Sequence, residues 1–398
     1  MHLLVFDDEA AIADIVVAVA CDCGWTAARA TNAAAFWTLF HAHVPDAIVL
    51  DMQLGTSDGV EQLRLLSHEA YAGSVVLMSG FHPRVLASAQ DVGRSLGLAV
   101  RAVIEKPARA ARVRAVLSAL EEAVGTVAKP GPSDAGGGAA ADNGITPPMV
   151  AAAIDAGQLV LHLQPIVSSL DQKTVGAEGL VRWQHPVLGL LPPGEFVPVA
   201  ETDAAVIDRL TLWAIETAAQ HYHALAAQGL AVPINVNVSG RNLQALDFPD
   251  RVASLLARNG VPAAAIGLEI TETAATGDRR ITADILTRLR LKGIGLSIDD
   301  FGTGHSTLEA LHRMPFSAVK IDRGFVGDVL TSADSFKIVR SVIELAHTMG
   351  LTSVAEGVED QQVADRLTEL GIDAMQGYCF SHALPLDGFM AWLRDRTG

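Results

Sequence analysis

Cysteine is scarce in this chain: Cys21, Cys23 and Cys379 are the only three in 398 residues. So few thiols exclude a disulfide framework, and Cys21 with Cys23 has no second Cys or His pair at zinc spacing, which sets a zinc site aside. Basic residues are short too, 29 Lys and Arg against 45 Asp and Glu, for a formal charge of −16. A general nucleic-acid backbone binder needs a basic face, so direct nucleic-acid binding is not expected, and a nuclease acting on long chains is disfavoured. Long apolar runs are missing: the stretch from Ala10 to Cys21 is cut by Asp14 and does not reach the roughly 18 residues of a membrane span. The opening MHLLVFDDE has no basic segment and meets acids at once, so neither a signal peptide nor membrane attachment is expected, and a cytoplasmic location is.

What is present is a large apolar fraction, half of all residues, with 19% charged. That balance fits a globular protein, and the length exceeds what one hydrophobic core usually serves, so two domains are expected. The sharpest change of composition is TVAKPGPSDAGGGAAADNGITPP, residues 126–148, where Gly, Pro, Ala and small polar residues replace apolar periodicity. It reads as a linker, giving expected bounds of 1–123 for a first domain, 124–148 for the linker and 149–398 for a second domain. Before it, HLLVF, DAIVLDM, SVVLMSG and LAVRAVIEKP alternate with amphipathic stretches, the pattern of a doubly wound parallel sheet. After it, runs such as LVLHLQPIV, VGAEGLVRW, PINVNVS, IGLEITE and GLSIDDF continue the alternation. Their spacing and number predict a (β/α)₈ barrel, with helices over residues 205–228 and 333–349 among others.

The polar residues of the second domain fall into place on that barrel. Glu178, Asn237, Glu269, Asp299, Lys320, Glu356 and Gln376 lie late in, or just after, successive strand candidates, where a barrel builds its active-site mouth. With Asp300 they make a hard-oxygen set without His or Cys, suited to Mg²⁺ or Mn²⁺ rather than zinc. Asp299 and Asp300 are adjacent, and neighbours on an extended segment point to opposite faces, which allows one buried and one solvated Asp. Repulsion among so many acids at one mouth favours the other reading, adjacent ligands for neighbouring cations. In the first domain Asp7, Asp8, Asp51, Ser79 and Lys106 fall at strand ends, where doubly wound sheets bind ligands. Three acids suit one Mg²⁺, a hydroxyl and an ammonium suit phosphoryl oxygens, and Asp51 suits a nucleophile.

EGLVRW resembles the EAL signature of the cyclic di-GMP phosphodiesterases, with Gly179 where Ala is usual. The resemblance continues through QPIV, WQHP, GEFVPVAE, NVNVS, EITE, DDFGTGHSTL, KIDRGFV, AEGVED and QGYCFS, over essentially all of residues 150–398. It implies a TIM-like EAL barrel that opens cyclic di-GMP to linear pGpG with two Mg²⁺ or Mn²⁺ ions. Carried over, Glu178, Asn237, Glu269 and Asp299 would hold one ion, and Asp299, Asp300 and Glu356 a second. Lys320 would orient or help deprotonate the attacking water, with Glu356 as general base. Arg182 would hold a phosphate oxygen, Gln164, Asp322, Gln376 and Gly377 would line substrate contacts, and Glu272 would anchor the loop from Phe301. His305, Thr307 and Gly324 depart from the usual Tyr, Ser and Ser.

The first domain is similar to the flavodoxin-like receiver domains of two-component response regulators, with FDDE, LDMQLGTSDG, MSG and EKP in register. That implies phosphorylation at Asp51 by a cognate sensor histidine kinase, one Mg²⁺ held by Asp7 and Asp8 with Gln53 beside them, and Ser79 and Lys106 as switch residues. Gly55 replaces a usual Pro, and Val103 stands where the aromatic switch residue is usual. Homo-oligomerisation through EAL domains is also implied. The alternative function is a catalytically weak receptor that binds cyclic di-GMP and acts through protein partners.

Overall fold

The apolar runs of the first domain become five parallel strands in the computed structural model, which describes residues 1–55, 57–80, 83–122, 144–275, 278–301 and 311–397. The strands are β1 (His2–Phe6), β2 (Thr26–Ala30), β3 (Ala47–Asp51), β4 (Ser74–Ser79) and β5 (Ala99–Glu105), paired in the order 2-1-3-4-5. This is the flavodoxin-like doubly wound sheet. Every residue of β3 is buried, because helices cover both faces of a parallel sheet and leave no polar alternation to read. Leu3, Val5, Val49, Val76 and Met78 pack with Ala13, Val16, Trp25 and Leu117 in one core. Helix starts follow side-chain chemistry: Asn32 accepts from the Ala35 N–H and Asp58 from the Glu61 N–H, each satisfying a donor that the first turn leaves open.

The chain divides into two compact units, and the second is a closed barrel. Its strands are β6 (Leu159–Ser168), β7 (Thr174–His185), β8 (Ile234–Val238), β9 (Ile266–Thr271), β10 (Gly295–Phe301), β11 (Ala318–Ile321), β12 (Thr352–Ala355) and β13 (Ala374–Met375). They run in that order around the ring, and the β6–β7 pairing closes it. The expected eight-strand barrel is present with one difference: β6 is antiparallel to both β7 and β13. The segment 169–173 is too short for a parallel crossover, so a hairpin is the only way back. Helices Ala204–Ala226 and Ala333–Thr348 match their expected spans, capped by Asp203 and Ser332. A helix Pro147–Asp155 starts two residues inside the segment read as linker, since proline at the first helical positions needs no N–H partner and has its φ preset.

One irregularity shapes the barrel mouth. Ile298 of β10 pairs with Val319, but the next partners are Phe301 and Ile321, so three steps on β10 match two on β11. Asp300 takes the slack at φ 54°, a left-handed conformation uncommon outside glycine but open to Asp. Residues 123–143, which hold most of the expected linker, and 302–310, which hold His305 and Thr307, lie outside the described residues.

Candidate active site

The barrel mouth is organised around one ammonium. Lys320, third of four residues in β11, is 1% exposed. Its Nζ donates to Glu269 Oε2 at 2.5 Å and Glu178 Oε2 at 3.3 Å, stands 3.4 Å from Asp299 Oδ1, and pairs with Glu356 Oε1. Asn237 Nδ2 donates to Glu178 Oε1 at 2.8 Å. Gln376 Nε2 bridges Glu178 Oε2 at 2.7 Å and Gln164 Oε1 at 3.0 Å, and Gln164 Nε2 donates to the Ser381 carbonyl. The structure thus joins Gln164, Glu178, Asn237, Glu269, Asp299, Lys320, Glu356 and Gln376 in one network.

Its electrostatics are unbalanced, because four carboxylates surround one cation in a buried space. Burial pushes Glu269 well above the usual carboxylate range, with Lys320 opposing and Glu178 and Asp299 adding to the rise. Burial likewise raises Glu356 to about 8, against the pull of Lys320. For Glu178, burial is outweighed by Lys320 and by the hydrogen bonds from Gln376 and Asn237, so its carboxyl falls below the usual range. Burial disfavours the charge on Lys320, yet Glu178, Glu269 and Glu356 hold its affinity for a proton well above normal. Such a cluster keeps its charge tolerable only by taking up protons or cations.

The structure offers a place for cations. Asp299, Asp300 and Glu356 each bring a carboxylate oxygen to within 4.8 Å of the others, and buried Asp299 Oδ1 has no hydrogen-bond partner among the described residues. Hard oxygens at that spacing fit Mg²⁺ or Mn²⁺. The β10 bulge is what makes the triad: alternation alone sends the two aspartates to opposite faces, and the left-handed turn at Asp300 returns its side chain to the mouth. Burial and the neighbouring Asp299 raise the Asp300 pKa, and Asp322 adds to the rise.

The remaining expected residues lie around this network. Arg182 is half-buried on β7, four residues beyond Glu178, with Nη1 on the Val181 carbonyl. Asp322 caps the short helix Arg323–Gly327 through the Gly324 N–H. Gly377 meets a steric demand: a Cβ there would lie 2.1 Å from the Val358 carbonyl oxygen, so only glycine lets the chain pass. Glu272 is buried at the start of the helix Glu272–Ala275; most of the loop it was expected to anchor, from residue 302 on, lies outside the described residues. Two features depart from the sequence reading. Glu178 sits mid-strand, because β7 runs past the barrel to pair with Gly189–Leu191. Asn235, not singled out, donates to Glu269 Oε1 at 3.0 Å; the alternation in NVNV, which puts it on the same face as Asn237, was the signal.

In the first unit, Asp7, Asp8 and Asp51 bring carboxylate oxygens within 4.8 Å of one another. Lys106 Nζ lies 2.9 Å from Asp51 Oδ2, 3.0 Å from Asp7 Oδ2 and 3.5 Å from Glu9 Oε1. Burial raises Asp51 to about 6, with Lys106 opposing and Asp7 adding to the rise. Asp51 Oδ1 is buried with no hydrogen-bond partner among the described residues, an oxygen left to a cation or an incoming phosphoryl group. Ser79 is buried at the end of β4, its carbonyl accepting from the Lys106 N–H at 2.8 Å. Gln53, two residues beyond Asp51, has an exposed side chain. Val103 is half-buried in β5.

Known proteins share both halves. The family described as EAL domain matches residues 149–383, and the family described as response regulator receiver domain matches residues 3–118. Cyclic di-GMP phosphodiesterase RocR of Pseudomonas aeruginosa is 31% identical over 87% of this chain and 86% of its own. The bifunctional diguanylate cyclase/cyclic di-GMP phosphodiesterase MucR of the same organism is 36% identical over 60% of this chain and 35% of its own. The chain spans about a third of the length of MucR and of other curated relatives that match it. A solved PaMucR phosphodiesterase in complex with c-di-GMP superposes with a TM-score of 0.57 at 36% identity, covering 60% of this chain and 97% of that one. Among the described residues, no helix is long and apolar enough to cross a membrane.

Proposed function

The chain belongs to the EAL-domain family and carries a response regulator receiver domain, and we propose from this that it hydrolyses cyclic di-GMP to linear pGpG under control of phosphorylation at Asp51. The observation that carries the reading is the network at the barrel mouth, in which Lys320 gathers Glu178, Glu269, Asp299 and Glu356 beside the Asp299–Asp300–Glu356 triad. A receptor that only bound the dinucleotide would gain nothing from so costly a concentration of buried charge.

Glu178, Asn237, Glu269 and Asp299 would hold one divalent cation, and Asp299, Asp300 and Glu356 a second. When bound, Mg²⁺ or Mn²⁺ supplies charge neutralisation at the attacked phosphodiester and makes water a stronger acid. The chain's own groups do the rest. Glu356, whose proton affinity burial lifts toward neutral, accepts the proton of the attacking water, as a general base works best near the operating pH. Lys320 donates a hydrogen bond that orients that water. Arg182 meets a phosphate oxygen, and Gln164, Asp322, Gln376 and Gly377 border the guanine and sugar. Glu272 fixes the loop that follows Phe301.

The receiver spans 1–123, the linker 124–148 and the phosphodiesterase 149–398 in this reading. Asp51 attacks the phosphoryl group carried by a sensor histidine kinase, whose histidine leaves as the phosphorus–nitrogen bond breaks, while Asp7 and Asp8, with Gln53 beside them, would hold one Mg²⁺ and Lys106 meets the transferred group. Residues 124–148 read from their composition as a linker, so we place the coupling in packing between copies of a cytoplasmic homo-oligomer. Incubation of the purified chain with cyclic di-GMP and Mg²⁺, with and without EDTA, followed by chromatography, tests the activity. Linear pGpG formed only with the metal supports it; tight binding with no product assigns the chain to the receptors instead.

A further inference from the structure

The barrel has a second opening. A cavity of about 340 Å³ lies at the opposite mouth, among the strand N-termini marked by Gly176, Asn235, Gly295, Ala318, Thr352 and Ala374. Its inner end reaches Glu269 and Lys320, which therefore separate it from the catalytic mouth. Barrels of this type usually fill their interior with layers of bulky branched side chains. Here small residues stand in the lowest layer, and Asn235 occupies space a larger neighbour would need: a Cβ on Gly267 would lie 2.1 Å from Asn235 Oδ1.

We propose that this cavity is a binding site for a small neutral molecule with an apolar body and one hydrogen-bonding end. Its size falls at the small end of ligand pockets, roughly 300 to 1,000 Å³. Ile166, Pro233, Val354 and Ala374 supply apolar wall. Ser297 is 6% exposed, lines the cavity, and its Oγ makes no hydrogen bond among the described residues. Asn235 gives its amide N–H to Glu269, and its Oδ1 accepts no hydrogen bond among the described residues. One acceptor and one hydroxyl suit a primary amide or a similar donor–acceptor end. The two charges in reach, Glu269 and Lys320, are already paired at 2.5 Å, so a charged guest would be desolvated without a partner.

Benzamide and benzoate, alike in shape and different in charge, test this on the full chain by ligand-observed NMR and calorimetry. Saturable benzamide binding is expected, at least tenfold weaker for benzoate, at least tenfold weakened by Ser297→Val and abolished by Ala318→Leu, each variant checked for native circular dichroism. Saturating cyclic di-GMP in EDTA should leave benzamide bound, since the two occupy opposite mouths. No saturable benzamide binding, equal binding of benzoate, indifference to both variants or displacement by cyclic di-GMP would each overturn the proposal. Because no turnover is read, a failure here leaves the phosphodiesterase reading standing, and the reverse holds too.

Discussion

Replacing Lys320 by Met keeps the length of the side chain and removes the one cation that Glu178, Glu269, Asp299 and Glu356 share. Each contact at 2.5 to 3.4 Å corresponds to about 5 to 7 kcal/mol of attraction at an effective dielectric of about 20, before the cost of desolvation is set against it. The net loss on breaking such a buried arrangement is smaller, about 3 to 5 kcal/mol. It must also depend on pH. Glu269 and Glu356 have folded-state pKa values raised above the usual range, and without the ammonium they rise further. A carboxyl raised in the folded state contributes stability below its unfolded pKa and loses it as pH climbs through the folded value. Lys320→Met should therefore lose least near pH 5, where Glu269 and Glu356 are protonated with or without the ammonium and only the lowered Glu178 still depends on it, and be weakened by the full amount near pH 8, in EDTA. For a unit of this size that is a fall of roughly 6 to 20 °C in Tm. Urea titrations read by hydrogen exchange of peptides covering Ala318–Ile321 report the barrel alone. A variant within about 0.5 kcal/mol of wild type at pH 8, well below the usual cost of breaking a buried pair, would refute the view that this ammonium holds the cluster together.

Glu178→Ala should remove turnover by at least a hundredfold with native circular dichroism, the scale expected when a group stabilising transition-state charge is lost; retention of more than about a tenth of wild-type turnover in saturating Mg²⁺ would contradict its place in the site. At Asp300, with φ 54°, Asn should fold as well as wild type and lose activity, whereas Val should lose about 1 to 3 kcal/mol of stability as well; equal stability of the two would show that the bulge imposes no strain. If Glu272 has the anchoring role proposed for it, Glu272→Ala should lower kcat and raise KM together, and wild-type kinetics would make it a plain buried Glu. Asp51, raised from 3.8 to about 6, carries about 2.2 × 1.36, or roughly 3 kcal/mol, of unfavourable charge above pH 6 in the absence of metal. Asp51→Asn should thus stabilise the receiver by about 1 to 3 kcal/mol at pH 7.5 in EDTA, with the gain gone below about pH 4; a destabilised variant at pH 7.5 would reverse the sign of the argument.

Much of this site could be read before any coordinates. Hard-oxygen residues at successive strand ends pointed to one mouth, and the structure joins Glu178, Asn237, Glu269, Asp299, Lys320, Glu356 and Gln376 there. Asn235 was legible too, two residues from Asn237 and so on the same face. The antiparallel β6 could have been read from its five-residue connection, 169–173. The β10 bulge could not: alternation assumes a regular strand, and the convergence of Asp299 and Asp300 depends on one left-handed residue against a neighbouring strand that the local sequence does not contain. The sharing of Lys320 among four acids was equally hidden, since it arises from closure of the ring and not from spacing along the chain. The cavity at the opposite mouth belongs to this class as well, because its small residues are scattered over many strands.

Hydrolysis of cyclic di-GMP in ¹⁸O-enriched water, with wild type and Glu178→Ala side by side in Mg²⁺, tests the central claim most directly. Attack of water at phosphorus predicts linear pGpG from the wild type, with one heavy oxygen on its terminal phosphate, and intact substrate from the variant. Intact cyclic di-GMP recovered from a wild-type chain that binds it, or product without the heavy oxygen, would contradict the account.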